Sequence, residues 1–259
     1  MSHPLLVEAI ERCFVPVAIR NNTKGDREAA IRERFEEPAW NNPVLRFVDH
    51  RGRDILPRKD RVWSREEVTR RLIAALEAAK AEVPPWLRLL ADEFSPKKSV
   101  ITLGMHCFWE GEAALGAIGG VTKTTAGWSS SNEVVRVEYV ETVVDDARLM
   151  RAVGASESVT DDKFRSAKLS DRKHALMRSP YRFVPMTEGQ RTRVNAALHA
   201  GQNASAWLSP RGVKLLRVIE SVLERMRDGV PADLPILPSI SAFDTVEARW
   251  QEEADRSDR

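Results

Sequence analysis

The chain is poor in the residues that most often carry redox and metal chemistry. Of its 259 residues only two are cysteine, two are tyrosine and five are histidine. Cys13 and Cys107 cannot build a disulfide framework, and nowhere does the chain hold a Cys-x-x-Cys pair. They suit a reducing compartment, where an isolated cysteine is either buried and inert or reactive, so the expected location is the cytoplasm. His3, His50, His174 and His199 are scattered without ligand spacing. Neither a metal nor another cofactor is expected. No apolar run reaches the roughly 18 residues of a membrane span. The opening MSHPLLVEAIERCF lacks the basic and apolar regions of a signal peptide. No charge dominates: 40 basic and 38 acidic residues leave a net +2. With Lys and Arg spread along the chain, neither nucleic acid nor a membrane is expected as a partner.

What is present supports a packed core. Hydrophobic residues make up 42% of the chain and charged ones 30%, which suits one large domain or two modest ones. Apolar spacing predicts a helix over 4–13, with Cys13 as a buried packing residue at its end. The run 14–20 reads as a strand with Pro16 inside it. A charged helix is expected over 26–36, a strand over 44–48, a turn at 49–52 and a returning strand over 53–56. Ser64 and Glu67 form a candidate capping box for a helix over 65–81. A short helix over 86–94 leads to Ser95 and Pro96, where a domain boundary is expected. Further on, the expected elements are a helix over 145–153, a polar loop over 154–169, a short helix over 170–177 and an extended link over 180–185. Thr187 with Gln190 caps a helix over 188–200 that Gly201 stops. Another helix runs from Ser209 to about Arg227, and the end, EARWQEEADRSDR, reads as a charged tail.

The stretch from Ser99 to Glu138 organises the chain. It reads as strand, sharp turn, helix, strand, short loop, strand, with Cys107 at the first turn. A helix N-terminus favours a thiolate through its unpaired N–H groups and its dipole. Phe108 and Trp109 follow at once, Glu112 lies one turn on, and Glu133 opens the last strand. Plainer readings stand beside these. Phe108 and Trp109 at a helix start ordinarily serve as core anchors, Glu112 as a carboxylate favoured by the dipole, and Glu133 as a solvated strand residue. His106 either assists the thiol as a cation or satisfies backbone groups.

Gly104-x-x-Cys107-Phe108-Trp109-x-x-Glu112-Ala113 resembles the nucleophile motif of the A-type peptide methionine sulfoxide reductases. Gly119-Gly120-Val121, Thr125-Ala126-Gly127-Trp128 and Asn132-Glu133-Val134-Val135-Arg136-Val137 continue the likeness in order. The resemblance implies that Cys107 attacks the sulfoxide sulfur and that Glu133 protonates the oxygen. It makes Phe108, Trp109 and Trp128 the methyl-binding wall, with Glu112 and His106 in support. Methionine sulfoxide, free or in peptides, is the implied substrate, and an external thiol such as a thioredoxin the implied reductant. The residue types suit the chemistry: sulfur attack needs a soft nucleophile, the departing oxygen a proton, and the methyl group an apolar wall. The oxidised nucleophile is a sulfenic acid that another thiol reduces. The chain departs from the family at Met105 and His106, where it has glycines. It also lacks the family's tyrosines; Phe164, in Lys163-Phe164-Arg165-Ser166, stands nearest to one of them.

The first part of the chain resembles a thioredoxin-like domain. The likeness rests on the element order and on Asn42-Pro43-Val44-Leu45-Arg46-Phe47-Val48-Asp49 before Gly52. It implies that Pro43 corresponds to the family's cis proline facing the redox centre. Without a Cys-x-x-Cys motif, such a domain is a redox-dead scaffold or the remainder of one that begins upstream, as behind an in-frame selenocysteine codon. The expected fold class is α/β (α+β). A thioredoxin-like α/β domain over 1–95 precedes a methionine-sulfoxide-reductase-like α+β domain over 96–185 and a helical extension with a charged tail over 186–259. The alternative to an oxidoreductase is a degenerate module that senses redox state or binds a partner.

Overall fold

A computed structural model of the chain describes residues 3–20, 24–38, 43–155, 158–159, 163–226 and 234–257. Asn42 and Arg227, named above, lie outside the described residues. Helices and antiparallel strands are mixed, which is the α+β class. The chain divides into two compact units, Met1–Leu87 and Arg88–Arg259. The division falls before the expected boundary at Ser95, and the residues from 186 onward belong to the same unit as the central stretch.

The first unit is mainly helical. Helix α1 (Pro4–Cys13) buries Leu5, Leu6 and Ala9 and packs on helix α3 (Arg65–Ala78). Helix α2 (Arg27–Arg34) begins at Asp26, whose carboxylate accepts from Ala29 N at 2.7 Å. Strands β1 (Val44–Leu45) and β2 (Lys59–Asp60) pair antiparallel, and helix α3 (Arg65–Ala78) follows. Helix α4 (Pro85–Glu93) contains the division between units. The strand expected over 14–20 does not form. Pro16 removes a ladder donor, and Val15 and Val17 are exposed. The return from the turn at Gly52 (φ +75°) makes one bridge, Val48 to Asp54, and β2 is the partner of β1 instead. The box at α3 is half formed. Ser64 accepts from Glu67 N at 3.0 Å, while the Glu67 carboxylate pairs with Lys59 at 3.1 Å. Cys13 is half-buried, and burial together with Glu8 pushes its thiol above the ordinary value.

The second unit is built on the central stretch, which folds as its pattern predicts. Strand β3 (Lys98–Gly104), helix α5 (Phe108–Gly116), strand β4 (Val121–Ser129) and strand β5 (Asn132–Val140) are followed by helix α6 (Asp146–Val153) and strand β6 (Phe164–Ser166). The sheet order is β3-β5-β4-β6, antiparallel throughout. Alternation puts Ile101, Leu103, Val135, Val137 and Ala126 on the inner face, in one buried cluster with Phe108, Leu115 and Leu149. Gly120 turns the chain into β4 at φ +86°, where a Cβ would lie 2.9 Å from Val143. Helix α7 (His174–Met177) leads to helix α8 (Glu188–His199), whose capping box from Thr187 and Gln190 forms at both ends. Gly201, at φ +65°, follows it as expected.

The described residues from 186 onward are mainly helical and pack within the second unit. In α8, Arg193 is buried and its guanidinium donates to Gly116 O at 2.8 Å. Helix α9 (Pro210–Arg225) packs on helix α10 (Phe243–Ser257), which occupies what reads as a charged tail. Val246, Trp250 and Ala254 form a buried stripe on α10, and the charges around them are what give the segment its tail-like composition. The link over 180–185 is a 3₁₀ turn, with Phe183 edge-on to Trp250 at 5.2 Å.

Glu93 joins α4 to α8. Its carboxylate accepts from Thr187 Oγ1 at 2.7 Å and Gly189 N at 2.8 Å. Burial raises its pKa from 4.5 to about 7, against the opposing effect of those hydrogen bonds. Between pH 4.5 and 7 the folded state therefore holds a proton that the unfolded chain has released. Its contribution to stability is fully present below pH 4.5 and is lost as the pH rises through 7, by about 3 kcal/mol. Thermal unfolding at pH 5 and pH 8 should show this slope, and Glu93→Gln should flatten it. An equal slope in the variant would contradict the assignment.

Candidate functional site

The site begins with the entry to α5. Cys107 is the N-cap, with extended backbone angles (φ −138°, ψ 116°), and its carbonyl accepts from Gly111 N at 3.0 Å. It is partly exposed. Glu133, on the inner face of β5, aims its carboxylate at the first turn, where Oε2 accepts from Phe108 N at 2.6 Å. Met105 N bonds to Glu133 O at 2.9 Å, which carries the β3–β5 ladder up to the turn. The nucleophile candidate and the acid candidate are thus brought to one helix N-terminus, which favours an anion.

The aromatic residues come together as well. Trp128 sits directly across from Glu133 in the β4–β5 register. Phe108 lies 5.5 Å from Trp128, edge-on, and 5.9 Å from Trp109. Trp109 donates from Nε1 to Asp171 O at 2.9 Å and stacks on His174 at 4.0 Å. Burial, with Arg178 and His199 nearby, lowers the His174 pKa against the pull of Asp171. His174 belongs to the wall of the site, a role that its isolated place in the sequence does not signal.

Glu112 holds that wall. It is fully buried, and side-chain and backbone donors rather than solvent satisfy its carboxylate. Its oxygens accept from Ala126 N at 3.1 Å, Lys173 N at 2.6 Å and Lys173 Nζ at 3.0 Å. Lys173 is itself buried, in the left-handed region at φ 51°, and its ammonium also donates to the Thr124 carbonyl and to Thr124 Oγ1. The expected helix over 170–177 is broken here into a 3₁₀ turn and α7, because Lys173 turns inward to Glu112.

Other expectations meet a different outcome. His106 is exposed and makes no hydrogen bond among the described residues, so it does not satisfy backbone groups. Met105, just before the turn, packs its sulfur where a Cβ on Gly111 would stand. Phe164 pairs with Ser129, while Arg165 pairs with Trp128. That register puts Phe164 on the outer face, under the Arg136 guanidinium at 3.8 Å, and away from Glu133. Tyr139 donates to Asp146, and burial raises the Tyr181 pKa above the ordinary value. Pro43, whose carbonyl accepts from Arg61 N at 2.9 Å, belongs to the first unit, and Cys107 to the second. Among the described residues no group of three or more His, Cys, Asp or Glu could hold a metal ion.

No protein-family model matches the chain, and no curated protein matches it. The geometry therefore stands alone: a thiol at a helix N-terminus, a carboxylate on the same turn and an aromatic wall.

Breaking one member of a buried ion pair leaves an uncompensated charge. Lys173→Met should destabilise the second unit by about 3–5 kcal/mol. Combining it with Glu112→Gln should cost less than the sum of the single changes, measured by denaturant unfolding in a double-mutant cycle. Additive losses would show that the two residues act separately.

Proposed function

We propose that the chain is a thiol-dependent oxidoreductase of the methionine sulfoxide reductase kind, acting through Cys107. The observation that carries this reading is the Glu133 carboxylate 2.6 Å from Phe108 N, at the helix turn that Cys107 opens. In the proposed step Cys107 sulfur attacks the sulfoxide sulfur, and Glu133 protonates the oxygen. The Cys107–sulfur bond formed in this attack and the S–O bond of the substrate both break as the protonated oxygen passes to Cys107. The thioether leaves with two more electrons, and Cys107 becomes a sulfenic acid. An external dithiol, such as a thioredoxin, returns it to the thiol and releases water. Phe108, Trp109 and Trp128 supply the apolar wall for the methyl group. The substrate is methionine sulfoxide, free or in a peptide, and the first unit is read as a thioredoxin-like scaffold without its own redox pair.

A second reading has one observation in its favour. The hydroxyl of Tyr139 is engaged with Asp146 and so is not available to bind the sulfoxide oxygen, and Phe164 has no hydroxyl to offer. Losing such a donor costs about 10²–10³ in rate. A thiol that senses oxidants or seats a partner fits that deficit.

Turnover of peptide methionine sulfoxide with dithiothreitol separates the two. The enzyme should consume sulfoxide, Cys107→Ser should abolish this, and Glu133→Gln should slow it by about a hundredfold or more. A fully active Cys107→Ser variant would end the first reading. No turnover together with fast alkylation of Cys107 near pH 7 would favour the sensor.

A further inference from the structure

The outer face of the sheet, turned away from α5, carries a cleft of about 900 Å³ that none of Cys107, Phe108, Trp109, Trp128 or Glu133 lines. The strand register builds its floor. Val100, Glu138 and Lys123 stand in one row, and Arg136 and Thr125 in the next. Leu169, Arg172, Arg191 and Ile236 are among the residues that close it from above. The volume lies within the range of about 300–1,000 Å³ usual for small-molecule sites.

The charges in the cleft do not cancel. Its two carboxylates are already matched: Glu138 pairs with Lys98 at 3.1 Å, and Glu188 pairs with Arg191. Lys173 is matched by Glu112. Arg136 is engaged over the Phe164 ring at 3.8 Å; Lys123 and Arg172 are left, and the side chain of neither has an ion-pair or hydrogen-bond partner among the described residues. Arg172 Nε is buried without an acceptor. An unmatched guanidinium in a concave, partly desolvated setting is costly until an anion arrives. Arg172 is also fixed on both sides. Asp171 before it holds Trp109 Nε1 through its carbonyl, and Lys173 after it is locked to Glu112. A cation held in this way loses little freedom on binding. Phe164 and Leu169 offer apolar surface beside the charges, with Ser166 and Thr125 as hydroxyl partners.

We propose that this cleft is a second ligand site, separate from Cys107, that takes a small organic anion. The ligand carries a phosphate or carboxylate headgroup on an apolar or planar body, and Lys123 and Arg172 grip the headgroup. Calorimetric titration of the full chain with adenosine monophosphate and, separately, with indoleacetate tests the site and distinguishes the two headgroups. At least one probe should bind saturably with one site per chain. Its affinity should fall by about tenfold or more in the Lys123→Glu, Arg172→Glu double variant, as for loss of charge-assisted contacts. If the double variant does not fold, the exposed Lys123→Glu change alone should still weaken binding severalfold. Absence of binding by both probes at millimolar concentration, or equal binding by wild type and the folded variant, would overturn the assignment.

Discussion

Half of β4 lies beyond the reach of β6, and its inward edge has to be bonded without a neighbouring strand. Ala126 is the last residue whose carbonyl meets the segment of β6, through Ala167 N at 3.0 Å. Before it, side chains replace the strand. Glu112 accepts from Ala126 N, Lys173 donates to the Thr124 carbonyl, and Thr192 Oγ1 accepts from Thr124 N at 3.3 Å. Backbone groups buried without partners cost several kcal/mol, so these residues are not exchangeable for apolar ones of similar size. The charge on Glu112 is held by Lys173, and the charge on Lys173 by Glu112. Each is buried because the other is.

The same pair sets up the candidate site. Glu112 rises from α5, one turn after Phe108, and Lys173 comes from the segment that also carries Asp171 and His174. Their contact fixes α5 against β4 and lays Asp171 and His174 on Trp109. Once α5 is fixed, its N-terminus meets Glu133 at the start of β5. The thiol, the acid and the aromatic wall are therefore tied to one buried polar contact a turn further along the same face of the helix. Arg172, between Asp171 and Lys173, is turned to the outer cleft by the same anchoring.

Local signals were legible in the sequence and distant ones were not. The Thr187–Gln190 box needs only its own residues, and the β3-α5-β4-β5 order follows from alternation and a switch of period. Cys107 at the start of α5 follows from that order. Lys173 lies 61 positions from Glu112, and nothing near it in the chain marks a lysine that will be buried. The apolar run 14–20 has strand composition, yet a strand needs a partner, and Pro16 removes one of its donors. In α10, the spacing of Val246, Trp250 and Ala254 was hidden by the charges between them. Phe164 shows how far one residue of register matters, because the step from Arg165 to Phe164 crosses the sheet.

Hydrogen exchange at the amides of Ala126 and Phe108 tests whether the Glu112–Lys173 contact holds the site. Ala126 N–H bonds to Glu112 and Phe108 N–H to Glu133, on opposite ends of the proposed linkage. Both amides should be protected in the wild-type chain, and both should lose protection together in Lys173→Met. Loss at Ala126 with unchanged protection at Phe108 would contradict the linkage.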